Sequence, residues 1–306
     1  MEKSAITRRD FVALLSAAGI AGLGPTLSLA QEEMPKRPIP STGEMLPVIG
    51  LGSSKVVSQV STRGTEPLAA VLRALVAAGG SVIDTWPRDP ENDAGLGRVL
   101  KEPDLCKALF VTSKIDRTGK EAGIEQFHET QRLYGRDTID LVQVFSLTDL
   151  ETQWSTLEKL KAEGHARYIG VTVSKYDLYE RLEAFLGRVT PDFVQMNYSI
   201  TERQAEERLL LLARDMGLGI LINRPFMNGA YFRKLEGRPL PEWAAEFDCE
   251  SWAQFSLKYI LAHPAITCVL TETSNPLHME ENAASSLGRM PNKAARARMR
   301  EFIDQV

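Results

Sequence analysis

Eight short apolar runs recur along this chain and constrain it more than any other feature. They are VIGLG (48–52), SVIDT (81–85), LFVTSK (109–114), IDLVQV (139–144), RYIGVT (167–172), DFVQMNYS (192–199), GILINRPF (219–226) and ITCVLTET (266–273). Runs of this length, rich in Val and Ile, read as strands buried on both faces. Between them lie segments whose apolar residues repeat at three and four, among them PLAAVLRALVAAG (67–79), TQWSTLEKLKAEG (152–164) and YERLEAFLG (179–187). That period belongs to amphipathic helices, and several of these segments close on glycine, which suits the left-handed position after a helix. Strand and helix in strict alternation imply parallel strands joined by right-handed crossovers. Eight such units fit a (β/α)8 TIM barrel, whose usual size is about 250 residues. A doubly wound open sheet is the rival, but it needs a glycine fingerprint after its first strand, and IGLGSS is not G-x-G-x-x-G. The barrel is expected over residues 45–306, with MPNKAARARMREFIDQV (290–306) as an extra C-terminal helix packed outside it.

The first thirty residues are a different material. They combine Arg8-Arg9, a moderately apolar stretch and a small-residue end at Ser28-Leu29-Ala30. This is the pattern of an export signal cleaved after Ala30. The pair followed by Asp10-Phe11 resembles a twin-arginine signal, which implies the twin-arginine export machinery as a partner and a periplasmic location. A membrane anchor is the alternative, but the apolar part is short, rich in Gly and Ala, and broken by Pro25. Residues 31–44 open with QEEMPKRPIP and read as a linker and N-terminal segment. With 36 basic and 40 acidic residues, a net charge of −4 and no basic stripe, nucleic acid is excluded as a partner. Three widely spaced cysteines without a CxxC are not a disulfide scaffold, and buried thiols are expected in preference to a single bridge.

A barrel builds its active site at the C-terminal ends of its strands. Those ends carry Asp84, Lys114, Phe145, Thr172, Ser174, Gln195, Asn197, Asn223, Arg224 and Thr273. Asp84 and Lys114 sit on neighbouring ends, where the carboxylate would hold the ammonium charged. A structural ion pair at the barrel mouth would look the same in sequence.

Taken in order, LPVIGLGSS, GSVIDT, LFVTSKI, IDLVQV, KAEGHARYIGVTVS, FVQMNYSI, INRPF and ETSNPLHMEEN resemble the aldo/keto reductase family over nearly all of residues 45–290. The resemblance implies a barrel enzyme that reduces a small-molecule carbonyl substrate with a nicotinamide dinucleotide, NADP or NAD. It assigns Asp84 and Lys114 to the aspartate and lysine of the family's catalytic tetrad. The tetrad tyrosine would stand five residues after the aspartate, where this chain has Asp89, and the histidine would stand at Phe145. Tyr198 and Tyr231 are the tyrosines that could approach the mouth from other loops. The resemblance also implies cofactor contacts at Ser174, Gln195, Asn197 and Arg224, and at Thr273, His278, Glu281 and Asn282 for the adenosine end. Glu272 and His278 stand where the family often has basic residues that favour NADP, so neither nucleotide is singled out.

Losing a positioned proton donor costs typically about 10²–10⁴-fold in rate. Two readings therefore stand. In one, the chain is a weak reductase in which Asp89 or a water replaces the tyrosine. In the other it is a non-catalytic barrel, a scaffold that binds the nucleotide or another ligand.

Overall fold

Every one of the eight runs forms a strand, and the strands close on one another. In the computed structural model, which describes residues 33–52 and 54–306, the order is β10-β3-β4-β5-β6-β7-β8-β9, with β10 pairing β9 and β3. The strands are β3 (Ile49–Gly52), β4 (Val82–Asp84), β5 (Phe110–Ile115), β6 (Ile139–Phe145), β7 (Ala166–Thr172), β8 (Phe193–Asn197), β9 (Gly219–Asn223) and β10 (Cys268–Glu272). All their pairings are parallel, as the helical crossovers demand. The helices that return the chain are α1 (Glu66–Ala77), α2 (Pro90–Leu100), α3 (Lys120–Tyr134), α4 (Leu150–Ala162), α5 (Tyr179–Leu186), α6 (Leu209–Asp215) and α7 (Trp252–Leu261); α8 (Pro276–Ala284) follows the last strand. The export signal expected at residues 1–30 lies outside the described residues.

Strand side chains alternate between the two faces. On one face Val82, Phe110, Leu141, Tyr168, Phe193, Leu221, Cys268 and Leu270 meet as a single apolar cluster. These positions line the barrel interior. The other face joins the larger core against the helices, with Ile83, Val111, Val142, Ile169, Val194, Ile220 and Val269. Two residues beyond the interior layer, the same inward parity brings up Asp84, Thr112, Gln143, Gln195 and Asn223. Four residues beyond it come Lys114, Phe145 and Thr172. The barrel is therefore apolar at its floor and polar at its mouth, a gradient written in the strands themselves.

The segment read as a linker is partly structured. β1 (Lys36–Pro38) and β2 (Met45–Pro47) form an antiparallel hairpin. Its Ile39 and Leu46 join the interior cluster, which they close from below. Arg37 donates to the carbonyls of Leu261 (2.6 Å), His263 (3.2 Å) and Ile266, tying the hairpin to the barrel. A polar, proline-rich composition hid two buried apolar anchors. The expected terminal helix is present as α9 (Lys293–Gln305). Arg296 fixes it, donating to Glu206 and to the Tyr259 carbonyl and lying 4.4 Å over the Tyr259 ring. Cys106, Cys249 and Cys268 are free thiols. Among the described residues no helix is long and apolar enough to cross a membrane.

Candidate active site

A cleft of about 510 Å³ opens at the C-terminal ends of the strands, where the polar layer begins. Its floor is the Asp84–Lys114 pair. The Lys114 ammonium lies 2.7 Å from Asp84 Oδ1 and donates to the Thr85 carbonyl at 2.7 Å. Asp84 also accepts from Thr112 Oγ1 at 2.6 Å and from Gln195 Nε2 at 3.1 Å, so the adjacent strand β5 and β8 from across the barrel meet at one carboxylate. Lys114 is 5% exposed and Asp84 12%. Burial pulls the Lys114 pKa below the ordinary lysine value, while the Asp84 charge and hydrogen bond work in the other direction. The result is a desolvated ammonium facing a ligand-sized cavity.

One wall of the cleft is aromatic. Trp86 and Phe145 stack with centroids 5.7 Å apart and planes 11° from parallel. Arg88 continues the stack, its guanidinium carbon 4.7 Å above Trp86. The opposite wall is polar, with Ser174, Gln195, Asn223 and Arg224, and His278 and Glu272 stand at the rim. Gln195 Oε1 and Asn223 Oδ1 are buried without a hydrogen-bond partner among the described residues, and so is Arg224 Nε. Buried polar atoms are nearly always paired, so three unpaired ones in one wall are unusual. Backbone strain gathers at the same rim. Ser146, Leu147 and Asp149 after β6, and Arg224, Met227 and Asn228 after β9, all adopt positive φ.

Of the residues named from sequence, Asp84, Lys114, Phe145, Thr172, Ser174, Gln195, Asn223, Arg224, Glu272 and His278 meet in this cleft. Asp89, Asn197, Thr273, Glu281 and Asn282 do not line it. Asp89 is exposed and caps α2: its carboxylate accepts from the Asn92 backbone N–H at 3.0 Å and the Asn92 amide at 2.6 Å. Those bonds hold its pKa below the usual aspartate value, which makes it a poor proton donor, and it does not line the cleft. The Asp-Pro pair that seemed to replace a catalytic residue is a helix N-cap followed by proline at the first helical position. Asn197 is held by Tyr179 and Glu202 instead. Thr273 closes a local turn with Asn275, while Asn282 is buried and neither it nor Glu281 is among the lining residues. Tyr198 points into the Glu206–Arg296 network, and Tyr231 is buried; neither lines the cleft.

Sequence reasoning missed Arg88 and Lys55, both of which line the cleft. For Arg88 the signal was present. It is the one cation in the loop that leaves β4, flanked by Pro87 and by an aspartate already suited to capping.

The cleft and the fold can be set beside known proteins. The family model for aldo/keto reductases matches residues 48–297. L-galactose dehydrogenase of Arabidopsis thaliana is 25% identical over 284 residues, covering 81% of this chain and 87% of that protein. An aldo-keto reductase of Klebsiella pneumoniae, solved in complex with NADPH, superposes with a TM-score of 0.74 at 21% identity, covering 88% of this chain and 95% of its own. One from Bacillus halodurans, in its holo form, gives 0.70 at 20% identity, covering 89% and 96%. Eight parallel strands around a polar mouth, with the aspartate–lysine pair at its floor, agree with the extent of that match: this chain belongs to the aldo/keto reductase family.

Proposed function

We propose that the cleft binds NADP(H) and supports slow reduction of a carbonyl compound. The observation that carries this reading is the convergence of the buried Asp84–Lys114 pair with the unpaired atoms of Gln195, Asn223 and Arg224 around one cavity. The unpaired Gln195 Oε1 and Asn223 Oδ1 are acceptors, and a nicotinamide carboxamide has an NH₂ group that can donate to them. Arg224 and His278 lie on the side where phosphates would be held, and the Klebsiella pneumoniae neighbour was solved with NADPH. When bound, the nucleotide supplies the hydride. The chain must then orient the carbonyl and neutralise the charge that develops on its oxygen. Lys114 is the donor suited to this. Burial moves its pKa down toward the range where an ammonium can release a proton, and Asp84 fixes its direction.

No tyrosine lines the cleft among the described residues, and Phe145 presents a ring face where the resemblance implies an imidazole. This supports slow turnover, and it favours a second reading in which the cleft binds nucleotide without catalysis. The leader sequence adds that the protein is exported folded through the twin-arginine route to the periplasm, which suits a protein that carries a cofactor. The test is NADPH oxidation over a panel of aldehydes and ketones. Carbonyl-dependent turnover that is abolished in Lys114→Met supports the reductase; tight nucleotide binding with no turnover on any carbonyl supports the binding module.

A further inference from the structure

We propose that the cleft is shaped for a carbonyl compound that also carries a carboxylate, and that Arg88 receives that carboxylate. The carbonyl part rests on the reductase reading above; the anion part rests on the cleft alone.

Arg88 is held in place by at least four contacts. Its backbone N–H donates to Asp93 Oδ2 at 2.9 Å, its Nε donates to Ser58 Oγ at 2.7 Å, and its Nη1 donates to the Trp86 carbonyl at 2.7 Å. The fourth contact is the Trp86 ring itself. An arginine fixed this way has already lost the side-chain freedom that binding would otherwise remove, and its planar fork matches a carboxylate.

The charges around it call for an anion. Lys55, Arg88, Lys114 and Arg224 line the cleft against two carboxylates, Asp84 and Glu272. Asp84 is engaged by Lys114, Thr112 and Gln195, and Glu272 accepts from the Lys55 backbone N–H at 2.8 Å. A concave site with this excess of positive charge concentrates anions. Burial lowers the pKa of both Lys114 and Arg88; Lys114 feels Arg88 as a like charge, while Asp93, Asp84 and Glu272 partly offset the burial of Arg88. A carboxylate lying between Arg88 and Lys114 would relieve that repulsion.

Geometry separates this anion from the nucleotide phosphates. Arg224 and His278 stand after β9 and β10, whereas Arg88 stands after β4 on the aromatic wall. The Trp86–Phe145 stack beside it gives an apolar body a flat surface to lie on. The substrate class this describes is an oxo acid with an aromatic or bulky alkyl group.

The experiment is calorimetric titration of the full-length protein with phenylglyoxylate and with its uncharged methyl ester, each with and without NADPH. Wild type is expected to prefer the carboxylate by roughly 10- to 100-fold, the range for a hydrogen bond between charged groups. Arg88→Met should erase the preference while NADPH affinity stays within about twofold, because the two sites do not share the residue. Arg88→Lys keeps the charge but loses the fork, and should retain only part of the preference even if the methionine variant folds poorly. No preference in wild type would overturn the proposal, as would full preference in either variant. Loss of NADPH binding in Arg88→Met with the carboxylate preference intact would also overturn it, by assigning Arg88 to the nucleotide. Failure of wild type to bind NADPH counts against the reductase reading, and the nucleotide-free titrations still decide the anion.

Discussion

Replacing Asp84 by asparagine removes the charge that balances Lys114 while keeping the side chain's shape. Its one oxygen can still accept from Thr112 and Lys114, as Asp84 Oδ1 does at 2.6 and 2.7 Å, but the amide nitrogen in place of Oδ2 can no longer accept from Gln195. Lys114 keeps the Thr85 carbonyl, 2.7 Å away, as a second neutral partner. Breaking one side of a buried ion pair costs about 3–5 kcal/mol. The hydrogen bonds that survive place the expected loss near the lower end, about 3 kcal/mol at neutral pH. The pH dependence supplies the discriminating test. Burial already holds the Lys114 pKa below its unfolded value, and Asp84 opposes that shift. Without Asp84 the folded pKa falls further. Between the folded and unfolded pKa values the unfolded chain binds more protons, so stability rises with pH across that window. The window is wider in the variant. The deficit of Asp84→Asn, measured by urea denaturation, should therefore be largest near about pH 7 and shrink as the pH approaches about 10. A deficit below about 1 kcal/mol, or one that does not change with pH, would refute the view that Lys114 is a buried charge held by Asp84.

Other outcomes follow from the same geometry. Arg88→Tyr combined with Phe145→His should raise carbonyl reduction by at least about 10-fold, since a positioned acid contributes about 10²–10⁴-fold. Asp89→Tyr with Phe145→His should not, because residue 89 caps α2 outside the cleft. Asp89→Ala should lower the melting temperature modestly and leave nucleotide affinity unchanged, as calorimetry would show. Asp93 is buried with Oδ1 unpaired, and desolvation pushes its carboxyl up to about 6. A carboxylate with a raised folded pKa destabilises the protein above that pKa, and the penalty disappears below its unfolded value. Asp93→Asn should therefore stabilise the protein by about 2 kcal/mol near pH 8 and not at all near about pH 3.5, read from denaturation curves at the two pH values.

The barrel was legible because both its signals are periodic. Strand runs such as LFVTSK and helical segments such as TQWSTLEKLKAEG each bury one face, and burial writes the period into the sequence. β5 and α4 stand where those patterns place them. The Asp84–Lys114 pair was legible for a related reason, since both residues end interior-facing strands. Loops carry no such period. Asp89 was assigned by its distance from Asp84, but side-chain direction after a strand depends on the turn, and Pro87 with the start of α2 turns residue 88 inward and residue 89 out. Asn197, Thr273, Glu281 and Asn282 were chosen by resemblance. Of these, Asn197 meets Tyr179, which only the folded chain brings near, and Thr273 closes a local turn with Asn275. The hairpin at 36–47 was hidden because two buried side chains, Ile39 and Leu46, do not make a pattern.

The central claim is that the cleft holds a nicotinamide dinucleotide, and calorimetric titration of the purified protein with NADPH tests it most directly. The account predicts saturable one-to-one binding that weakens in Gln195→Leu and in Arg224→Met and leaves Asp89→Ala unaffected. Absence of binding at millimolar nucleotide, or binding indifferent to Gln195 and Arg224, would contradict it.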